Sequence, residues 1–287
     1  MHTRMNMPHS CQGREFTPCS CAEVAAKAVQ AAAEPAALTL RAGACTLPHP
    51  DKIATGGEDA YFISEDAMVM GVADGVGGWR ESGIDPGEYS RTLMRVACEF
   101  FNTGQHKERE DSLEETARAA LGVAHQKTRM PGSSTACILA LNPEDRAVSG
   151  VNLGDSGFVV IRNGTVVFQT PPQLHYFDCP YQLGAYPEHV DATNYPSDAD
   201  THTFTVTKGD TIVLGTDGLW DNCPLEEISQ MVPDTDDAVD TAAEVLATAA
   251  REHAGVHCSA LSDVAVHEAW AAVQSWINTV ACSFSSN

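Results

Sequence analysis

Acidic residues adjoin short apolar segments at four places in the chain, and each place also carries a glycine. The acids are Glu58 and Asp59 in GGEDAYF, Asp74 in MGVADGVGGW, Asp155 in VNLGDSG, and Asp217 and Asp221 in VLGTDGLWD. One Asp-Gly pair after a strand is ordinarily a turn, because glycine allows tight turns. Four occurrences predict instead that neighbouring strands of a sandwich bring these carboxylates together at one rim.

Carboxylates gathered at one rim repel each other, and the repulsion raises the pKa of each. Hard divalent cations relieve it, since Mg²⁺ and Mn²⁺ prefer oxygen ligands and need few protein carboxylates. Two such ions about 3.5–4 Å apart can activate a water and clamp a phosphoryl group for in-line attack. No histidine cluster accompanies these acids in the sequence, which argues against zinc.

The elements that must position the acids follow from the hydrophobic periodicity. Strands are predicted over residues 60–64, 68–73, 134–141, 147–153, 157–162, 165–169, 204–206 and 211–214, the last two as a hairpin across Lys208-Gly209. Helices are predicted over residues 86–102, 112–128, 225–231 and 235–253. Strands in meanders with helices in groups indicate an α+β fold with antiparallel sheets.

Five segments in a fixed order carry a family resemblance: GGEDAYF, ADGVGGW, GSSTACIL, NLGDSGF and GTDGLWDN. They resemble the PPM-type (protein phosphatase 2C) metal-dependent Ser/Thr protein phosphatases. HPDKIATGGEDAYF, DGVGGWRESGIDPGEYS, PGSSTACI and HYFDCPYQLG resemble the mitochondrial and plastid branch more narrowly. The resemblance spans roughly residues 48–222 and implies a four-layer α-β-β-α sandwich with two antiparallel sheets.

The resemblance also implies roles for the acids. Asp74 would bridge two Mg²⁺ or Mn²⁺ ions per domain, the Gly75 carbonyl would bind one of them, and Asp217 would be a direct ligand. Glu58 and Asp59 would hold metal-bound waters. Asp74 and Asp217 would thereby be the catalytic residues.

A weaker third metal is implied as well, with Asp155, Asp217 and Asp221 at the matching positions. The expected reaction is direct attack of a metal-activated water on phosphoserine or phosphothreonine of a protein substrate. Trp220 is best interpreted as a core anchor rather than a substrate contact. His49, His175 and His189 are interpreted as loop or surface residues.

Two departures from the family pattern affect the predicted site. Other branches have an arginine that binds the substrate phosphate at the position equivalent to Ala54. Lys52 is the nearest cation that could replace it. Lys52 would lack arginine's bidentate fork, and it could equally be a solvated lysine at a strand edge.

The second departure concerns the family's last strand, whose first aspartate is a metal ligand. In SALSDVAVHEAW the equivalent position is Ser262. Asp263 could take that position only if the strand shifted its register by one residue, which would turn every side chain to the opposite face. Residues 267–280 are predicted to be helical. The missing ligand makes a catalytically impaired pseudophosphatase that binds phosphoproteins the alternative. A phosphohydrolase of small molecules is a third hypothesis, since substrate choice is expected to depend on the loop over residues 171–200.

Composition limits the partners and the compartment. Asp and Glu number 39 against 17 Lys and Arg, a net charge of −22, which argues against binding to nucleic acid. No apolar run is long enough for membrane insertion. Residues 1–42 are predicted to be a disordered or targeting tail before a phosphatase domain over residues 43–287, so a mitochondrial or chloroplast location stands beside a cytoplasmic one.

Overall fold

The computed structural model describes residues 38–66, 68–108, 111–142, 145–185, 193–232, 239–260 and 277–286. The strands are β1 (Leu38–Leu47), β2 (Ala60–Ile63), β3 (Val69–Ala73), β4 (Ser133–Ser134), β5 (Ala136–Asn142), β6 (Ala147–Leu153), β7 (Gly157–Arg162), β8 (Thr165–Gln169), β9 (Leu174–Tyr176), β10 (Cys179–Pro180), β11 (Gln182–Gly184), β12 (Thr193–Asn194), β13 (Asp200–Thr205), β14 (Thr211–Gly215) and β15 (Ile277–Ser286). The α-helices are α1 (Pro86–Asn102), α2 (Leu113–Lys127), α3 (Asp217–Trp220), α4 (Leu225–Met231) and α5 (Val239–Ala260). Short 3₁₀ helices cover Pro50–Thr55, Gly77–Ser82, Gln105–Glu108 and Pro196–Asp198.

Two five-stranded sheets form the centre of the fold. Sheet 1 has the order β1-β15-β14-β7-β8 and sheet 2 the order β13-β6-β5-β3-β2. Every neighbouring pair in both sheets is antiparallel. The antiparallel arrangement agrees with the meandering strands predicted from the sequence.

Alternating side chains on the strands fill two different apolar layers, as the pleat of a strand requires. Met70 and Val72 of β3 point between the sheets and pack with Phe158 and Val160 of β7. Val69, the neighbour of Met70, points the other way, toward the helices. The run VMGVA is therefore apolar throughout because both of its faces are buried.

Helices cover the outer face of each sheet. Helices α1 and α2 pack on sheet 2 through residues such as Leu93 and Leu121. Helix α5 packs on sheet 1, where Leu246 contacts the layer that contains Val159 and Val213. The predicted four-layer α-β-β-α sandwich is confirmed. None of the described helices is both long enough and apolar enough to cross a membrane.

The two helices over sheet 2 begin where the sequence predicts them. Asp85 caps α1 by accepting a hydrogen bond from the Gly87 amide at 3.0 Å, with Pro86 at the first helical position. Ser112 and Glu115 form a reciprocal capping box at the start of α2. These caps satisfy amides that the helix itself leaves without partners.

The predicted hairpin across Lys208-Gly209 is wrong. Strand β13 pairs with β6 in sheet 2, whereas β14 pairs with β7 and β15 in sheet 1. The turn therefore connects the two layers of the sandwich instead of two neighbours in one sheet. Strand β13 also starts earlier than predicted, at Asp200, since six of its residues align with β6.

The chain's ends also differ from the sequence prediction. Strand β1 begins at Leu38, inside the stretch assigned to the tail, because it pairs along its length with β15. The helix predicted over residues 267–280 is wrong for residues 277–280, which belong to β15. Ser262 and Asp263 lie outside the described residues.

A buried ion pair joins the ends of two strands of sheet 1. Asp210 has no exposed surface, and its carboxylate receives Arg162 Nε at 2.7 Å and Nη2 at 2.6 Å. The same carboxylate accepts the Thr207 amide at 2.8 Å, so it also fixes the turn that crosses between the sheets.

Replacing Arg162 with methionine should lower the free energy of unfolding by about 3 kcal/mol, because a buried carboxylate then loses its bidentate cation. Arg95→Met is the matched control, since Arg95 pairs with Glu99 on the exposed face of α1 and should cost no more than about 0.5 kcal/mol. Urea unfolding of both variants measures the difference. Equal losses of unfolding free energy in the two variants would show that Arg162 does not stabilise the buried carboxylate of Asp210.

Candidate metal centre

The strand ends bring acids from both sheets to one end of the sandwich. Asp74 follows β3 and Asp155 follows β6 in sheet 2, while Asp217 follows β14 in sheet 1. All three line a cleft of about 380 Å³, the first cleft, together with Glu58. Asp59 lies just before β2 and interacts electrostatically with Asp74 and Asp217. Asp59, Asp74, Asp155 and Asp217 are called the acidic cluster below.

Backbone and hydroxyl contacts fix the position of Asp74. Its amide donates to Thr135 Oγ1 at 3.0 Å, and its carbonyl accepts the Thr135 amide at 2.9 Å. Thr135 Oγ1 lies 2.7 Å from Ser156 Oγ, next to Asp155 in the chain. The ends of β3 and β6 are therefore held together through the start of β5.

Gly75 lies at a point where the backbone of three segments meets. Its amide donates to the Glu58 carbonyl at 3.1 Å. A side chain at this position would come within 2.6 Å of the Glu58 carbonyl and 2.7 Å of the Pro86 carbonyl, closer than real side chains approach. Only glycine fits, so this backbone can line the first cleft directly.

Asp59 links the two sheets within the acidic cluster. It is 4% exposed, and its Oδ2 accepts a hydrogen bond from Thr216 Oγ1 at 2.8 Å. Thr216 directly precedes Asp217. Within the described part of the chain, Asp59 Oδ1 and Asp217 Oδ1 are buried and have no hydrogen-bond partner.

Burial and mutual repulsion raise the pKa of every member of the acidic cluster. Burial is the largest cause for Asp59, Asp74 and Asp217, whose pKa values lie well above the usual range, and the charges of the neighbouring acids add to it. Burial, with the charges of Asp221 and Asp178, raises the pKa of Asp155 to about 6. Without counter-ions this end of the fold therefore disfavours ionised carboxylates.

The acidic cluster fits hard divalent cations as ligands. Buried carboxylate oxygens without partners are costly unless a cation or a proton satisfies them. Among the described residues, no three acidic, histidine or cysteine side chains are already arranged around one point as the ligands of a single ion. Mg²⁺ is typically bound through one or two protein carboxylates and several waters.

A second cleft of about 250 Å³ adjoins the first and shares Asp155, Asp178 and Asp217 with it. Asp221, predicted to serve a third metal, lines the second cleft, and burial raises its pKa, followed by the charge of Asp178. Asp178 was not predicted from the sequence. It occupies a turn between two very short strands, at φ 59°, and no pattern in the sequence marks it.

Trp220 belongs to the apolar layer under α5, and its indole Nε1 donates to the Gly215 carbonyl at 2.9 Å. This supports the interpretation as a core anchor, although the ring also borders the second cleft. His175 contacts Asn194 Oδ1 at 3.0 Å and stacks on Tyr181. Neither His175 nor His49 lines the first cleft, and His189 lies outside the described residues.

Two cations pair with one carboxylate in the lining of the first cleft. Lys52 Nζ pairs with Glu58 Oε2, and Arg80 Nε pairs with Glu58 Oε1. Lys52 and Arg80, called the cation pair below, both line the cleft. Lys52 was predicted from the sequence. Arg80 was not predicted from the sequence, because the family pattern places a cation before Glu58, whereas Arg80 lies after it in the chain, directly behind GVGGW.

Comparison with known proteins gives a consistent set of relatives. A family profile described as stage II sporulation protein E (SpoIIE) matches residues 64–269. Probable protein phosphatase 2C 80 of Arabidopsis thaliana is 47% identical over 195 residues, which are 68% of this chain and 44% of that protein. The chain thus spans less than half the length of that relative.

Three further comparisons cover two thirds or more of the matched protein. The human protein phosphatase PTC7 homolog is 38% identical over 205 residues, 68% of this chain and 67% of that protein. The X-ray structure of the photosystem II phosphatase PBCP superposes with a TM-score of 0.70 at 32% identity, covering 85% of this chain and 98% of that one. The catalytic domain of the phosphatase PstP with two manganese ions has a TM-score of 0.57 at 16% identity over 86% of this chain and 99% of that one, which shows the fold alone.

The raised pKa of Asp155 predicts how the stability of the metal-free protein depends on pH. The carboxyl binds its proton more tightly in the folded protein than in the unfolded chain, so its stabilising effect is complete below about pH 4 and is lost as the pH rises through about 6. Asp155→Asn removes the charge and should be more stable than wild type by roughly 1–3 kcal/mol at pH 7. Urea unfolding in EDTA between pH 4.5 and 7.5 measures the gap.

Asp200→Asn is the control for this experiment, because Asp200 is an exposed acid on the edge strand β13. Its stability should follow that of wild type throughout the pH range. A gap for Asp155→Asn that does not narrow toward acid pH would contradict the prediction.

Proposed function

The chain belongs to the protein phosphatase 2C (PPM) family, and we propose that it hydrolyses phosphoserine and phosphothreonine in proteins with a water activated at a binuclear Mg²⁺ or Mn²⁺ centre. The observation that carries this proposal is the acidic cluster, in which two buried carboxylate oxygens, Asp59 Oδ1 and Asp217 Oδ1, have no partner among the described residues. Three of its members, Asp74, Asp155 and Asp217, line an open cleft, so a phosphoryl group can reach them.

Asp74 and Asp217 are proposed as the carboxylates that hold the two ions, with the Gly75 carbonyl as a further ligand. Asp74 comes from sheet 2 and Asp217 from sheet 1, so the ions would bridge the sandwich. When bound, two divalent ions supply an activated water and neutralise the phosphoryl oxygens. The Thr135 contacts hold Asp74 at a fixed distance from β6, which keeps the ligands in place before metal arrives.

Glu58 and Asp59 are proposed to act on water rather than on metal directly. Asp59 is oriented by Thr216, which leaves Oδ1 as its available acceptor. Asp155 and Asp221, with Asp178 beside them, are proposed to hold a weaker third ion in the second cleft. Asp263 stays a prediction for a further ligand.

Phosphoproteins, rather than small phosphate esters, are favoured by the surface next to the clefts. The β9–β10 hairpin exposes Leu174, Tyr176 and Phe177, the last with 91% of its surface exposed. Apolar side chains beside an acidic cleft can contact residues that flank a phosphoserine. A small-molecule phosphate would make no use of this surface.

A catalytically impaired pseudophosphatase is the second candidate function. Strand β15 is the strand that pairs with β14 beside Asp217, and its sequence from Ile277 to Ser286 contains no acidic residue. A missing carboxylate ligand weakens metal binding. In this case the cleft would bind a phosphorylated partner without hydrolysing it.

A mitochondrial or plastid location is proposed from the narrower motif resemblance. The similar photosystem II phosphatase PBCP supports the plastid alternative, since its name refers to a plastid complex. Nucleic acid is not proposed as a partner, because the net charge is −22. Membrane insertion is not proposed either, because the sequence has no apolar run long enough to span a bilayer.

Hydrolysis of p-nitrophenyl phosphate in a Mn²⁺ titration tests the proposed function. Wild type should turn over only with metal, and Asp74→Asn and Asp217→Asn should each lose at least about 100-fold in kcat/KM because a carboxylate ligand is removed. Mn²⁺ should raise the melting temperature of wild type and not of Asp74→Asn.

Asp200→Asn, an exposed acid outside both clefts, should retain wild-type turnover. Folded wild-type protein without turnover at millimolar Mn²⁺ would favour the pseudophosphatase. Recovery of turnover in Ser262→Asp would then assign the defect to the missing ligand.

A further inference from the structure

The two members of the cation pair differ in how much of their hydrogen-bonding capacity is already used. Lys52 is buried, with 7% of its side chain exposed, and its ammonium is directed at Glu58 Oε2. Arg80 has 36% of its side chain exposed at the wall of the first cleft. Glu58 itself is buried, at 2% exposure, so it needs both cations for compensation.

Arg80 keeps donors available after it has paired with Glu58. A guanidinium has five N–H donors in a planar fork, and only Nε is used for Glu58 Oε1. Nη2 lies 3.5 Å from Thr55 Oγ1, a long contact, and Nη1 makes no hydrogen bond to any residue that the structure describes. The edge of the guanidinium formed by Nη1 and Nη2 can therefore receive an anion.

We propose that Arg80 binds the phosphate of the substrate through the fork of Nη1 and Nη2, and that Lys52 positions Arg80 by holding the other oxygen of Glu58. This assignment rests on the proposed function and concerns the same cleft. It replaces the earlier expectation that Lys52 contacts the phosphate. Arginine suits this role, because two parallel N–H donors match two phosphate oxygens.

The charges along the first cleft agree with this assignment. In the lining of the first cleft, Lys52 and Arg80 offset the charges of Glu58 and Glu81, and the other charged residues, Asp74, Asp155, Asp178 and Asp217, are all acidic. A phosphoryl group in this cleft could contact both the Arg80 guanidinium and ions held by the acidic cluster. Gly77 lies beside Glu58 in this lining. A methyl group added at Gly77 would lie 3.5 Å from Glu58 Oε2, so a larger side chain there would enter the cleft.

Binding of inorganic phosphate in the presence of Mn²⁺, measured by calorimetry, tests the proposal without turnover. Arg80→Gln should weaken phosphate binding roughly 10- to 100-fold, the range expected for a lost charge-assisted pair. Arg80→Lys should lie between Arg80→Gln and wild type, because it keeps the charge and loses the fork. Arg95→Gln, which removes an exposed arginine of α1 outside this cleft, should bind phosphate as wild type does.

Kinetics with a phosphoserine peptide separates binding from positioning. Arg80→Gln should raise KM and the inhibition constant of phosphate together, while the Mn²⁺ concentration for half-maximal stabilisation stays as in wild type. Lys52→Met should change phosphate binding less than Arg80→Gln. A larger effect for Lys52→Met, or unchanged phosphate binding in a folded Arg80→Gln protein, would overturn the assignment.

The outcomes also distinguish this proposal from the proposed function. Wild-type protein that binds phosphate with Mn²⁺ but hydrolyses no phosphopeptide would contradict the proposed activity. The loss of phosphate binding in Arg80→Gln would still show whether Arg80 binds the phosphate. Wild-type protein that binds no phosphate with Mn²⁺ would overturn both proposals.

Discussion

Repulsion among carboxylates that are buried at one end of the sandwich is the constraint around which the rest of the structure is organised. The acidic cluster draws Asp74 and Asp155 from one sheet and Asp217 from the other. An uncompensated charge in such a place costs several kcal/mol. The apolar layers between and outside the sheets offset this cost, and the hydroxyl contacts of Thr135 and Thr216 prevent the acids from moving apart into solvent.

The same constraint explains why the positive charges of the first cleft are paired before any ligand binds. Glu58 accepts both Lys52 and Arg80, so neither cation can fold over onto the acidic cluster and neutralise it. The glycines between Asp74 and Trp79 allow the backbone to pass closely between these two charged regions.

Sequence reasoning identified the parts of this arrangement that are local in the chain. The positions of Asp74, Asp155 and Asp217 follow from apolar strands that end at glycine and an acid, and the start of α1 follows from Asp85 and Pro86. The hairpin between residues 204 and 214 was predicted wrongly, because the choice of partner depends on how six residues of β13 align with β6, far away in the sequence. Asp178 and Arg80 could not be ranked from the sequence, since their relevance comes from the walls of a cleft that distant segments build.

Strand β15 lies between β1 and β14 in sheet 1, so the last described strand of the chain pairs with the first. Sheet 2 uses only strands up to β13, and it can therefore close on the ribosome while the later part of the chain is still being made. Sheet 1 has to wait for β15, and until then β1 and β14 each expose an unpaired strand edge. During synthesis, then, β1 stays without its partner strand until the chain has been made as far as β15.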